Sequence, residues 1–264
     1  METMDIDTLF SAGAHFGYSR ARRHPSATPF LFATRDQTDF FNLEETAKCL
    51  EAASAFVSSV VAAGGQVVFV SGKNESLPIV KAAAERIGAP YCAGRWIGGT
   101  LTNFKNIRKR IDRLEKLEAE RESGVLEKYT KKERLLLDRE MEGLRARFGG
   151  LVSLQKEPAA LFVVDTRHED TAVREANQLG IPVVGLSSSD CNFSMVQYPI
   201  PANDTSVKSV RLIVERIADA HQEGKKVQPA RTAESIRSGG NVNLPPSHKA
   251  TDGHSKMKND NVKS

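Results

Sequence analysis

Three short, nearly unbroken apolar runs organise the chain: Gln66–Gly72, Ala160–Asp165 and Ile181–Leu186. Each is rich in β-branched or aromatic residues and is bounded by Gly, Pro or Asp, which reads as a strand. A strand that is apolar on both sides needs cover on both faces of its sheet, the mark of a parallel α/β arrangement. Two shorter candidates are Pro90–Cys92 and Gln197–Ile200. Helical patterns fall between them, at Leu43–Ala63, Leu77–Ile87, His168–Leu179 and Val207–Ala220. This alternation predicts a doubly wound, flavodoxin-like parallel sheet of about five strands.

Residues 104–148 break that rhythm. They are strongly charged, and their apolar positions step by three and four: Ile107, Ile111, Leu114 and Leu117, then Leu137, Met141, Leu144 and Phe148. Those are coiled-coil steps. Glu122–Gly124 reads as a break, Thr130–Glu133 has capping-box spacing, and Gly149–Gly150 should end the second helix. The stretch is therefore expected to be an inserted α-helical coiled-coil hairpin, each arm roughly 30 Å long at 1.5 Å per residue. Residues 1–103 and 149–224 would form the α/β domain. From Gln222 onward few apolar residues remain, so 225–264 is expected to be a disordered basic tail.

Charge sharpens this picture. The 264 residues carry a formal net charge of +4, but 225–264 holds eight Lys/Arg against three Asp/Glu. The other residues hold 29 basic and 30 acidic side chains. The body is thus not globally basic, and a nucleic-acid role must rest on local clusters. No run of eighteen apolar residues suggests a membrane span. The N-terminus lacks the build of a secretory or transit signal, and Cys49, Cys92 and Cys191 are scattered. Both features suit a reducing, cytoplasmic compartment, with no disulfide framework and no metal site.

Catalytic signatures are missing. No GxGxxG follows a strand, and Gly72-Lys73 resembles a phosphate loop without its earlier Gly or its following Ser/Thr. The best enzyme lead is Asp165 at a strand end, beside His168, Glu169 and Asp170. The simpler reading of the same stretch is that Asp165 or Thr166 caps the next helix, with Glu169 and Asp170 near its positive end. A free α/β enzyme or interaction module built on Asp165, His168 and Glu169 is the alternative to an RNA-binding role. His15 reads either as a contact residue or as a structural histidine in a turn.

Two cationic clusters carry the RNA reading. Arg20, Arg22 and Arg23, with Arg35 further on, lie in a Pro-bearing loop expected to be exposed, where they suit phosphate contacts or are merely solvated. The second cluster comprises Arg95, Trp96, Asn103, Lys105, Arg108, Lys109 and Arg110, around a Gly-rich turn. Trp96 either stacks on a base or anchors the hairpin in the core. Positive charge at a helix start opposes the helix dipole, which points to an external anion.

These stretches are similar to the bacterial small-subunit ribosomal protein two family from about Thr8 to Glu223. The resemblance rests on Leu9–Gly17, Pro29–Phe32, Asn42–Thr46, Arg95–Asn103, Pro158–Glu169, Glu175–Asn177, Gly180–Pro182 and Pro201–Asp204, in that order. It implies a flavodoxin-like sheet with a protruding coiled-coil hairpin, no catalysis, no cofactor and no small-molecule substrate. It also implies a structural place in the small ribosomal subunit, with small-subunit rRNA and neighbouring ribosomal proteins as partners. Among those is the large ribosomal protein one that captures mRNA. Three departures stand out. Tyr18 replaces the family's second His, Arg22–Pro25 replaces an aromatic-Asn-Pro stretch, and Ser188–Asp190 replaces Asp-Thr-Asn. They alter the positions from which a metal or polar site would be built.

Overall fold

The computed structural model describes residues 5–238, except for the side chains of 127 and 228–238. A short helix, α1 (Ile6–Ser11), is followed by β1 (Phe16–Ser19), β2 (Leu31–Arg35) and β3 (Thr38–Phe41). These strands form a small antiparallel sheet in the order β1-β3-β2. A two-residue turn joins β2 to β3, with Asp36 and Gln37 both at positive φ (50° and 62°), the conformation that matches hairpin twist. This sheet differs from the expected irregular loop. Its strands are four or five residues long, and Phe32–Arg35 of β2 are exposed, so no two-residue hydrophobic alternation marks them.

The chain then runs through α2 (Leu43–Ala62), β4 (Val67–Ser71), α3 (Leu77–Ile87), β5 (Tyr91–Ala93), α4 (Phe104–Glu122) and α5 (Lys131–Phe148). It closes with β6 (Ala160–Val164), α6 (Asp170–Gln178), β7 (Val183–Ser187), β8 (Tyr198–Pro201) and α7 (Val207–Ser238). The main sheet has the order β5-β4-β6-β7-β8, every neighbouring pair parallel. That is the flavodoxin-like order expected from the sequence.

Side-chain alternation along the strands separates two cores. Val67, Phe69, Ala160, Phe162 and Val164 join Leu50, Val57, Ile213 and Val214 beneath α2 and α7. Phe69 and Phe162 meet edge to face at 5.3 Å. Val68, Val70, Leu161 and Val163 face the other way and pack with α6 and with α4 and α5.

The helix pair joins that second core through Ile107, Ile111, Leu114 and Leu117 of α4 and Met141, Leu144 and Phe148 of α5. Ion pairs Arg113–Glu140 (3.2 Å) and Arg145–Glu118 (2.6 Å) link the two helices. The expected capping box is present: the Thr130 hydroxyl accepts the Glu133 N–H, and Glu133 accepts the Thr130 N–H at 2.9 Å. Gly124, at φ 71°, separates the helices.

α7 is longer than its apolar pattern indicated. It runs to Ser238, so the first part of the segment expected to be unstructured is helical. The remainder of that segment, 239–264, lies outside the described residues.

Candidate nucleic-acid interface

Doubly wound sheets bind ligands outside the strand C-termini where strand order reverses. Here that crevice lies between β4 and β6, and the chain's own side chains fill it. Lys73 follows β4 and donates to Asp165 Oδ2 at 2.5 Å and to Asp204 Oδ2 at 2.8 Å. The Tyr18 hydroxyl stands 3.5 Å from Lys73 Nζ. Asp165, at φ 63°, accepts the N–H groups of Arg167 (3.1 Å) and His168 (3.0 Å) on Oδ1. His168 pairs with Glu169 Oε1 at 2.7 Å. A Cβ on Gly72 would press on that oxygen and on the His168 ring, so the Glu169–His168 pair would have to shift to admit a side chain there.

The electrostatics follow from burial and pairing. Burial and the Asp165 charge push Asp204 up to about 6, against the pull of Lys73. Lys73 is itself held above its ordinary value by its two carboxylates, despite its burial. Asp165 is buried too, yet Lys73 and the two backbone N–H groups keep it below the ordinary carboxylate range. Burial raises Glu169. The residues of the enzyme alternative are therefore already partnered, Asp165 by Lys73 and Glu169 by His168. Asp165 holds the turn that leads into α6, whose N-cap is Glu169 without a side-chain capping bond. Among the described residues, no group of three or more His, Cys, Asp or Glu is placed to hold a metal ion. All three cysteines are free, and burial pushes Cys92 and Cys191 up to about 12.

The first cationic cluster is only partly open to solvent. Arg20–Arg22 form a short 3-10 turn after β1. Arg20 is exposed, and Arg35 is 85% exposed beside Asp36. Arg22 lies 4.5 Å over the Tyr18 ring and 3.5 Å from Asp190. Arg23 corrects the expectation of a free phosphate contact. Its guanidinium grips the fully buried Asp39 on both oxygens, with Nε at 2.7 Å from Oδ2, and also donates to Thr34. It ties the small sheet together from inside. The structure adds Arg167, which reaches Asp190 at 2.6 Å beside Arg22. Nothing in its local sequence marks it, because the two arginines meet only through the fold.

The second cluster also divides. Trp96 is 6% exposed and packs in the second core, its N–H 3.4 Å from Glu175 Oε1. That packing supports the anchor alternative over base stacking. Arg108 is likewise internal: it bonds Asp112 (2.7 Å), Glu115 (2.5 Å) and the carbonyls of Val152 (3.1 Å) and Leu154 (3.2 Å). Arg95, Asn103, Lys105, Lys109 and Arg110 are exposed. Among the described residues, none of Arg20, Arg95, Lys105, Lys109 or Arg110 forms an ion pair with a carboxylate. A cleft of about 590 Å³ runs along the start of α4, lined by Asn103, Lys105 and Lys109 and closed by Leu179.

Sequence reasoning missed the group that shapes this loop. The buried carboxylate of Glu175 accepts the N–H groups of Gly99 (2.6 Å), Leu101 (3.0 Å) and Thr102 (3.2 Å). The signal was there: Glu175 lies three residues after Ala172 and next to Ala176, on the buried face of α6.

A third surface is apolar. His15 stacks on Phe10 at 4.5 Å, and burial lowers its pKa. Phe10, Phe16 and Phe32 remain 61%, 44% and 79% exposed.

The chain matches the family described as ribosomal protein S2 over residues 9–224. It is 41% identical over 242 residues to the small ribosomal subunit protein uS2 of Dichelobacter nodosus, covering 92% of this chain and 88% of that one. It is 41% identical over 226 residues to the uS2 protein of Coprothermobacter proteolyticus, covering 86% and 84%. It is 39% identical over 226 residues to that of Syntrophobacter fumaroxidans, covering 86% and 82%.

Proposed function

The chain belongs to the ribosomal protein S2 family, as a structural and non-catalytic component of the cytoplasmic small ribosomal subunit, and from that premise we propose how it engages its partners. It binds small-subunit rRNA through Arg20, Arg22 and Arg35 on one patch. Arg95, Asn103, Lys105, Lys109 and Arg110 form the other. One observation carries this reading: the body is nearly neutral, yet Lys105, Lys109 and Arg110 stand unpaired at the first turns of α4. Lys105, in the first turn, opposes the helix dipole, and all three cations gain from an outside anion. Three point charges without an exposed aromatic beside them suit backbone phosphates, which position a protein without reading sequence.

Protein neighbours take other faces. The α4–α5 pair acts as the coiled-coil arm, a unit spanning 104–148. The exposed Phe10 and Phe16, joined through His15 and Phe40, offer an apolar patch of the kind that marks protein contacts, and ribosomal protein one is among the neighbours proposed for it. The test is a sucrose gradient of cell lysate. The protein should sediment with small subunits at low salt and leave them at high salt. A protein that stays at the top of the gradient at every salt concentration defeats the reading.

A further inference from the structure

Arg22 and Arg167 converge on one carboxylate. They come from segments far apart in the chain, yet their guanidiniums reach Asp190 Oδ2 at 3.5 and 2.6 Å. Asp190 is almost fully enclosed, with 4% of its side chain exposed, whereas Arg22 and Arg167 are 55% and 53% exposed. Two cations against one buried anion leave a positive charge in excess. Of the other charged residues lining the cleft, Arg23 is matched by Asp39 and Asp170 by Arg174 at 2.8 Å, while Asp165 stands behind Arg167 and is itself paired with Lys73. The excess faces a cleft of about 430 Å³, where Pro25, Val173 and Met195 provide apolar wall and His24 stands at the edge.

The cleft is held in place before any ligand arrives. Arg22 rests on the Tyr18 ring, and the turn carrying Arg167 is fixed by the Asp165 carboxylate. The Nδ1 of His24 is held by the Ser26 hydroxyl at 2.7 Å. Planar guanidinium forks match the oxygens of a phosphate. An apolar wall beside them accommodates a ribose or a base.

We infer that this cleft is an RNA-binding pocket in which Arg167, together with Arg22, holds one phosphodiester of the RNA backbone. The inference rests on the RNA-binding reading above and adds to it a residue and a defined pocket. Asp190 keeps both guanidiniums aimed, and the phosphate takes the charge that Asp190 leaves unbalanced.

The test uses the full chain and small-subunit ribosomal RNA. Arg167→Ala should weaken binding roughly three- to tenfold and reduce the salt slope by about one. Arg167→Lys should recover most of the slope. In parallel, an arginine-selective dicarbonyl reagent, read by peptide mass spectrometry on the unsubstituted chain, should modify Arg22 and Arg167 less when RNA is bound. That measurement needs no variant to fold. Unchanged affinity and slope in Arg167→Ala, with equal modification in the presence and absence of RNA, overturns the pocket and leaves the wider reading standing. An unsubstituted chain that fails to bind the RNA overturns both. Equal protection by inorganic phosphate makes this a free-phosphate site and overturns the assignment to RNA.

Discussion

The Glu175 carboxylate accepts the backbone N–H of Gly99 at 2.6 Å, a bond that joins α6 to a loop 76 residues earlier. Leu101 and Thr102 donate to the other oxygen, so one buried acid replaces the backbone partners that this turn lacks. Gly99 sits at φ 90°, where a side chain is strained, which explains a glycine there.

Removal of that carboxylate should therefore act on folding first. Glu175→Ala leaves at least three N–H groups without their acceptor and should cost about 3–5 kcal/mol in urea unfolding. Glu175→Gln keeps one acceptor oxygen but turns an amide toward N–H donors, so it should fall between the two. If Glu175→Ala unfolds at the parent's urea midpoint, the loop is held by something else.

The pH dependence of stability should show two opposing terms. Asp204 ionises near 6 in the folded chain against an ordinary 3.8. Between those values the folded state holds a proton that the unfolded state has lost, so stability falls as pH rises. His221 is buried beside Phe69, and burial, then the Lys225 charge, lowers it from 6.5 to about 4. In that window the unfolded state binds the extra proton, so stability rises with pH. The two slopes overlap and partly cancel. Asp204→Asn should gain stability over the parent as pH rises from 4 to 6, by on the order of 2 kcal/mol. His221→Phe should gain instead as pH falls from 6.5 to 4. Differences from the parent that stay flat across this range would refute both assignments.

Packing at the base of the helix pair predicts a contrast between neighbouring glycines. A Cβ on Gly150 would lie 2.3 Å from the Tyr91 carbonyl oxygen and 2.6 Å from its ring. The same atom on Gly149 meets only the flexible Arg145 chain, at 3.4 Å. Gly150→Ala should cost about 1–3 kcal/mol. Gly149→Ala should be near neutral, since its φ of −55° suits any residue. Thermal melts of the two variants separate them, and equal melting temperatures would contradict the close approach.

What the sequence revealed follows from where each element lies. β4, β6 and β7 are buried at every position, and only such strands give unbroken apolar runs. The capping box at Thr130 was readable because both its partners are local. The β1-β3-β2 sheet was not, because exposed residues such as Phe32 and Thr34 carry no periodic signal. Local charge also misled where the partner is distant in sequence. Arg23 belongs to Asp39 and Arg108 to the Val152 and Leu154 carbonyls. An arginine in a cationic run looks the same whether it faces solvent or closes a core.

That ambiguity gives a test within the first two turns of α4. Lys105, Lys109 and Arg110 are unpaired, whereas Arg108 bonds two carboxylates and two carbonyls. Replacing the first three with Ala should leave the melting temperature unchanged or slightly raised, because it removes positive charge from the start of the helix. It should reduce the salt slope of RNA binding by roughly two to three. Arg108→Ala should do the reverse. The Val152 and Leu154 carbonyls would lose their donor, at a cost of about 1–2 kcal/mol, while the salt slope stays near the parent's. If Arg108→Ala instead lowers the slope as much as the triple substitution does, Arg108 reaches RNA despite its internal bonds. The division of the cluster into contact and scaffold would then fail.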